Sequence, residues 1–154
     1  MDLSDLISPE AIIPALKANS KKQALQAVAE KAAQNTGIDE RAIFETLLQR
    51  EKLGSTGVGG GIAIPHGKLP KLTRIFGLFA RLARPIDFEA LDDQPVDLIF
   101  LLLAPEGSGA DQLKALARIA RHLREPGVAG KLRASADQAA LYAVLTESAA
   151  SDAA

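Results

Sequence analysis

The sequence predicts an α/β fold, a mixed β-sheet flanked by helices on both faces. Three observations carry that expectation. Residues 96–103, V-D-L-I-F-L-L-L, form a nearly continuous apolar run with β-branched and aromatic members, the pattern of a central strand buried on both faces. Shorter apolar runs alternate along the chain with segments of helical periodicity. The length of 154 residues, with 47% hydrophobic and 24% charged residues, suits one soluble domain over 1–154 with a sizeable core.

In order, Ile7-Ser8-Pro9-Glu10 reads as a turn and residues 11–16 as a short strand. Pro14 has no backbone donor, which places that strand at a sheet edge or ends it. Ser20 is a good N-cap for a helix over 21–33, where Ala24, Leu25, Val28 and Ala32 recur at helical spacing. Gly37 stands where a left-handed cap is wanted. Asp39 caps a second helix over 40–52, with Ile43, Leu47 and Leu48 facing inward. A glycine-rich loop, a short strand at 62–64 and a strand over 74–82 follow. Residues 85–88 read as a connection, and Asp92-Asp93-Gln94-Pro95 as a turn before the central strand. Ser108 is placed to cap a helix running to about 123, with Asp111 in its first turn. Pro126-Gly127 breaks it; a short helix near 128–133 and a last one over 136–146 complete the chain. The tail from 148 reads as disordered.

Several function classes are excluded at this level. A net charge of −1 gives no reason to expect nucleic acid or an anionic membrane as partner. The chain has no cysteine, so no disulfide, which suits a reducing cytoplasm. The start M-D-L-S-D lacks the basic and apolar regions of a signal peptide. The longest apolar run, 98–104, is too short to span a bilayer. With two histidines and no cysteine, a zinc site is not expected, and no cofactor is called for.

The chemistry gathers in residues 50–68, R-E-K-L-G-S-T-G-V-G-G-G-I-A-I-P-H-G-K, which hold six of the twelve glycines and one of the two histidines. Glycine loses more backbone freedom on folding than other residues, so this density marks sharp turns or close approach. Stiff Pro65 and permissive Gly67 bracket His66 at a strand end. A G-x-S-x-G hydrolase elbow is absent, although Ser55 and several aspartates leave a hydrolase with His66 as base formally open. A P-loop would need Lys-Ser/Thr after the last glycine, and Gly67-Lys68 is followed by Leu69. On spacing alone, His66 is a nucleophile or a structural histidine.

The run from Arg50 through Gly67 resembles the phosphohistidine segment of the fructose/mannitol-type IIA domains of the bacterial phosphotransferase system, and within them the nitrogen-regulatory branch. The likeness continues through Pro85-Ile86-Asp87-Phe88, residues 92–100 and Leu102-Leu103-Ala104-Pro105, and covers about 5–147. It implies a mixed sheet of about five strands between helices. It also implies that His66 accepts a phosphoryl group at Nε2 from an HPr-like carrier (NPr) served by its own enzyme I, with Nδ1–H held by a backbone carbonyl. The regulatory targets the family suggests are potassium-transport proteins and sensor kinases. Arg50 matches the motif position of a fixed cation, and a guanidinium fork suits phosphate oxygens. The backbone N–H groups of Gly59, Gly60, Gly61 and Gly67 are candidate phosphoryl donors, as in an anion nest. Glu51, Ser55 and Thr56 match the motif too, the last two as loop-shaping or hydrogen-bonding residues. Lys68 reads as a solvated charge.

One position departs from the family. Where these domains usually carry a second histidine at the start of a helix, this chain has Gln112, in Q-L-K-A-L. His122 lies ten residues on, roughly 80° around the helix and ~15 Å along it, so it does not replace that histidine and is expected at the surface. Gln112 shares the apolar stripe of Leu113, Leu116, Ile119 and Leu123 and is expected to reach the site. Asp87, Glu89, Asp92 and Asp93 form the expected acidic rim of a carrier-docking face. A lone IIA domain fits a phosphorylation-dependent regulator; the alternatives are a sugar-transport IIA component and a non-phosphorylated binding module.

Overall fold

A computed structural model describes residues 2–147; the expected disorder from 148 falls outside the described residues. After two short 3-10 turns, β1 (Ile12–Leu16) leads into α1 (Lys21–Thr36) and α2 (Glu40–Lys52). Three short strands follow: β2 (Gly57–Gly59), β3 (Ile62–Ala63) and β4 (His66–Leu69). Two long ones come next, β5 (Phe76–Ile86) and β6 (Val96–Pro105). The chain closes with α3 (Gly109–Arg124), α4 (Val128–Ala134) and α5 (Gln138–Leu145).

The described strands make one mixed sheet of six, ordered β1-β5-β6-β3-β2, with β4 also on β6. β6 is the spine. It runs antiparallel to β5 on one side and parallel to β3 and then β4 on the other. Leu98 to Ala104 are fully buried on both faces of the sheet, as a continuous apolar run requires. β1 is an edge strand, parallel to β5, so the missing donor of Pro14 falls where the sheet has no further neighbour. Helix α1 packs on α2, which meets β4, while α4 bridges α3 and α5, which meet β6 and β1.

The helix ends follow from local chemistry. The side chains of Ser20 and Asp39 accept from the backbone of Gln23 (3.2 Å) and Ala42 (3.1 Å). Gly37 ends α1 at φ 76°, its N–H returning to the Ala33 carbonyl. Ser108 departs from expectation. Its hydroxyl donates back to the Pro105 carbonyl (2.6 Å), so it shapes the turn and does not cap α3. The expected connection at 85–88 also shifts, because β5 runs on to Ile86 beside Val96.

The largest correction concerns His122. It is 7% exposed, with Nε2 donating to the Val144 carbonyl at 2.9 Å. A helix wheel places it at the polar border of α3. Asp2, Leu3, Thr146 and Glu147 line the same cleft as His122, and Val144 takes its Nε2, which no periodicity within α3 encodes.

Candidate functional site

The site forms where the C-terminal turn of α2 meets β4. Thr46 and Arg50 are four residues apart and share the side of α2 that faces this strand. Gly67 lets the two elements meet, since a Cβ there would lie 2.5 Å from Thr46 Cγ2. His66 is half-buried at the start of β4. Its Nδ1 is 2.9 Å from the Ile64 carbonyl, and its Nε2 is 3.2 Å from Arg50 Nε.

These two contacts assign the tautomer. A guanidinium has donors only, so Nε2 must present a lone pair to Arg50. The proton then sits on Nδ1 and is donated to Ile64. Burial is the main reason the His66 pKa lies below the ordinary histidine value; the Ile64 carbonyl opposes it, Arg50 lowers it further and Glu51 raises it. The ring is therefore neutral at pH 7, with its nucleophilic atom aimed at a cation. Arg50 is held from behind as well, its Nη1 donating to the Gly54 carbonyl at 2.9 Å.

Behind Arg50 lies a polar cluster that motif spacing does not reveal. The Glu51 side chain is only 4% exposed. Its carboxylate accepts from the Thr56 amide (3.1 and 3.2 Å) and from the Thr56 hydroxyl, and pairs with Lys21 Nζ at 2.8 Å. A clue to Glu51 exists in the sequence: it stands four residues beyond Leu47 on the inward stripe of α2, where an unpaired carboxylate would be costly. Lys21 carries no such clue, because only tertiary packing brings α1 to the end of α2.

The other expected site residues divide. Gln112 is 6% exposed, and its amide donates to the Gly67 carbonyl at 3.0 Å, next to His66 but not to the ring itself. Ser55 donates to the Phe88 carbonyl (2.9 Å) and accepts from the Gly57 amide (3.1 Å), while the Thr56 hydroxyl is held by Glu51. Both hydroxyls are engaged in shaping the loop. Lys68 is exposed, as read from the sequence.

Gly59, Gly60 and Gly61 are not at the histidine. They turn the β2–β3 hairpin, at φ 102°, 67° and 80°. The Gly61 carbonyl accepts from Asp97 at one end of β6, whereas His66 faces Leu102. Those five residues of strand separate the turn from the ring by ~16 Å. The Gly60 amide already donates to Asp92 (3.0 Å), and its carbonyl accepts from Arg133 (2.7 Å). The anion-nest expectation therefore fails for these three on distance, and Gly67 alone of the four lies beside His66. The acidic quartet splits likewise. Glu89 lies 3.7 Å from Lys21, whereas Asp92 accepts from the Gly60 amide of the hairpin turn.

A six-stranded mixed sheet carrying a neutral histidine at one strand end, with an arginine on its free nitrogen, defines the class. The family described as "Phosphoenolpyruvate-dependent sugar phosphotransferase system, EIIA 2" matches residues 5–148, and the chain belongs to it. It is 72% identical over 145 residues to a nitrogen regulatory protein of Bradyrhizobium diazoefficiens, covering 94% of this chain and 95% of that relative. The crystal structure of nitrogen regulatory protein IIA-Ntr from Neisseria meningitidis has a TM-score of 0.88 at 31% identity, covering 94% of this chain and 99% of that one. IIA mannitol from Escherichia coli shares the fold, with a TM-score of 0.77 at 20% identity, over 90% of this chain and 97% of its own. No helix among the described residues is long and apolar enough to cross a membrane.

Proposed function

We propose that this chain is a cytoplasmic phosphoryl-transfer regulator, phosphorylated on His66 Nε2 by an HPr-like carrier (NPr) and binding its targets differently in its two states. The observation that carries the reading is the oriented ring, with Nδ1–H on Ile64 and the Nε2 lone pair facing Arg50. In the transfer, the Nε2 lone pair forms the new N–P bond. The carrier's own N–P bond breaks, and its nitrogen keeps the electron pair. The guanidinium that now covers Nε2 has to yield to the incoming phosphorus. It then sits beside the phosphoryl oxygens, where its charge stabilises them. Lowered proton affinity keeps the ring nucleophilic, and no proton has to leave it first. Likeness to nitrogen regulatory proteins favours a regulatory output over sugar transport, with potassium-transport proteins and sensor kinases as target classes.

Incubation with phosphoenolpyruvate, enzyme I and the HPr-like carrier tests this. The expected product gains the mass of one phosphoryl group in an acid-labile, base-resistant linkage, and His66→Ala abolishes the gain. Absence of labelling in the wild-type protein would leave a binding module as the better reading.

A further inference from the structure

Lys21 is the first residue of α1, where a cation opposes the helix dipole. It finds its partners elsewhere in the fold. Its ammonium lies 2.8 Å from buried Glu51, 3.7 Å from exposed Glu89, and 5.0 Å from the centre of the Phe88 ring. From Glu51 a chain of hydrogen bonds runs to the reactive ring. Glu51 holds the Thr56 amide and hydroxyl. The Thr56 carbonyl accepts from the Ile64 amide at 2.9 Å. The Ile64 carbonyl accepts from His66 Nδ1 at 2.9 Å. This ladder leads from Glu51 to Ile64, whose carbonyl holds His66 Nδ1 and leaves Nε2 toward Arg50.

We infer that Lys21 and Glu51 are positioning residues for His66: the ion pair anchors the Thr56–Ile64 ladder and sets how much negative charge the imidazole feels. The role rests on His66 as the reactive group in the proposed function. The charged groups acting on the ring come from α2, Arg50 lowering its proton affinity and Glu51 raising it. From α3, Gln112 faces the adjacent Gly67 carbonyl and is neutral. Lys21 acts one step back, by neutralising Glu51. Because Lys21 also stands near Glu89 on an exposed loop, a cationic partner that engages Glu89 leaves Lys21 wholly to Glu51.

The test is a double-mutant cycle read at the ring. His66 nitrogen chemical shifts are followed against pH in the wild type, Lys21→Met, Glu51→Gln, the double variant and Lys21→Arg. The readout needs no phosphorylation, so it stands apart from the outcome of the labelling experiment. Glu51→Gln removes an anion and is expected to lower the His66 midpoint by several tenths of a pH unit. Lys21→Met exposes the ring to an uncompensated carboxylate and is expected to raise it, while Lys21→Arg restores the wild-type value. In the Glu51→Gln background, Lys21→Met is expected to shift nothing further. The double variant buries no unpaired charge, so it remains informative if Lys21→Met folds poorly. Phosphotransfer rates are expected to fall in both single variants, with less Nδ1–H tautomer in Lys21→Met. Equal shifts from Lys21→Met in both backgrounds, or unchanged midpoints throughout, would overturn the assignment.

Discussion

Replacing Gly67 by alanine probes the joint between α2 and β4 that brings Arg50 to His66. Gly67 is not in the left-handed region, so its backbone accepts alanine. The added methyl would sit 2.5 Å from Thr46 Cγ2, well inside a comfortable carbon–carbon contact of about 3.5–4.0 Å. Thr46 does not rotate away freely, because its hydroxyl donates to the Ala42 carbonyl at 2.8 Å. Relief therefore comes by moving the helix off the strand. Overpacking of this kind costs about 1–3 kcal/mol. Alanine returns ~0.4–1 kcal/mol by restricting the unfolded chain. The net expectation is a loss of about 1–2 kcal/mol, or ~2–8 °C in Tm for a chain of this size. Urea denaturation followed by circular dichroism measures it. Thr46→Ser removes Cγ2 and keeps the hydroxyl, so Gly67→Ala/Thr46→Ser should recover most of the loss. The displaced helix should also carry Arg50 away from Nε2 and raise the His66 midpoint, which the double variant reverses. If Gly67→Ala stays within ~0.5 kcal/mol of wild type, or Thr46→Ser rescues nothing, helix and strand do not meet as described.

The remaining expectations concern the ring and its surroundings. Since folding lowers the His66 pKa, transfer should persist below the pH at which a free histidine is half-protonated, and Arg50→Ala should move the fall in rate to higher pH. For stability the sign is that of a resisted proton: the unfolded chain binds it more readily, so stability declines as pH drops from the ordinary histidine value through the lowered one, measurable as Tm against pH. Gln112→Ala removes a neutral hydrogen bond of roughly 0.5–1.5 kcal/mol from the strand beneath His66, and should slow transfer about two- to tenfold without abolishing it. Gln112→His should add a titration near pH ~6–7 to the rate profile. Arg133→Ala frees Asp97 and the Gly60 carbonyl, and should lower stability by about 1 kcal/mol while leaving the His66 titration unchanged.

Much of the fold was legible because its elements declare themselves locally. The apolar run of β6, the N-caps at Ser20 and Asp39, and the left-handed stop at Gly37 are each set by a few neighbouring residues. The family resemblance implied a backbone carbonyl on His66 Nδ1, and Ile64 supplies one, but the contact of Arg50 with Nε2 was not part of that expectation. What eluded the sequence depends on distant segments coming together. His122 is buried beside Val144 of α5, a neighbour that its own helix does not announce. Lys21 meets Glu51 across two helices. The glycines at 59–61 looked like a phosphate cradle because closeness in sequence was taken for closeness in space, and an extended strand separates its ends by more than any other structure.

That same strand gives the motif's spacing a meaning. β3 and β4 pair β6 in one uninterrupted register, Ala63 opposite Ile99 and His66 opposite Leu102. Between them Ile64 leaves the row and turns its amide to Thr56 and its carbonyl to His66. The glycine turn, clasped by Asp92 and Arg133, is then the zero mark of a ruler, and the histidine is a graduation on it. Adding or removing one residue between Gly61 and His66 would turn the imidazole to the opposite side of the sheet. Changes of length are free to accumulate elsewhere, in the hairpin's neighbours or between β4 and β5, but this interval has to be copied residue for residue. The glycines and the histidine belong to one motif because the first measure out the position of the second.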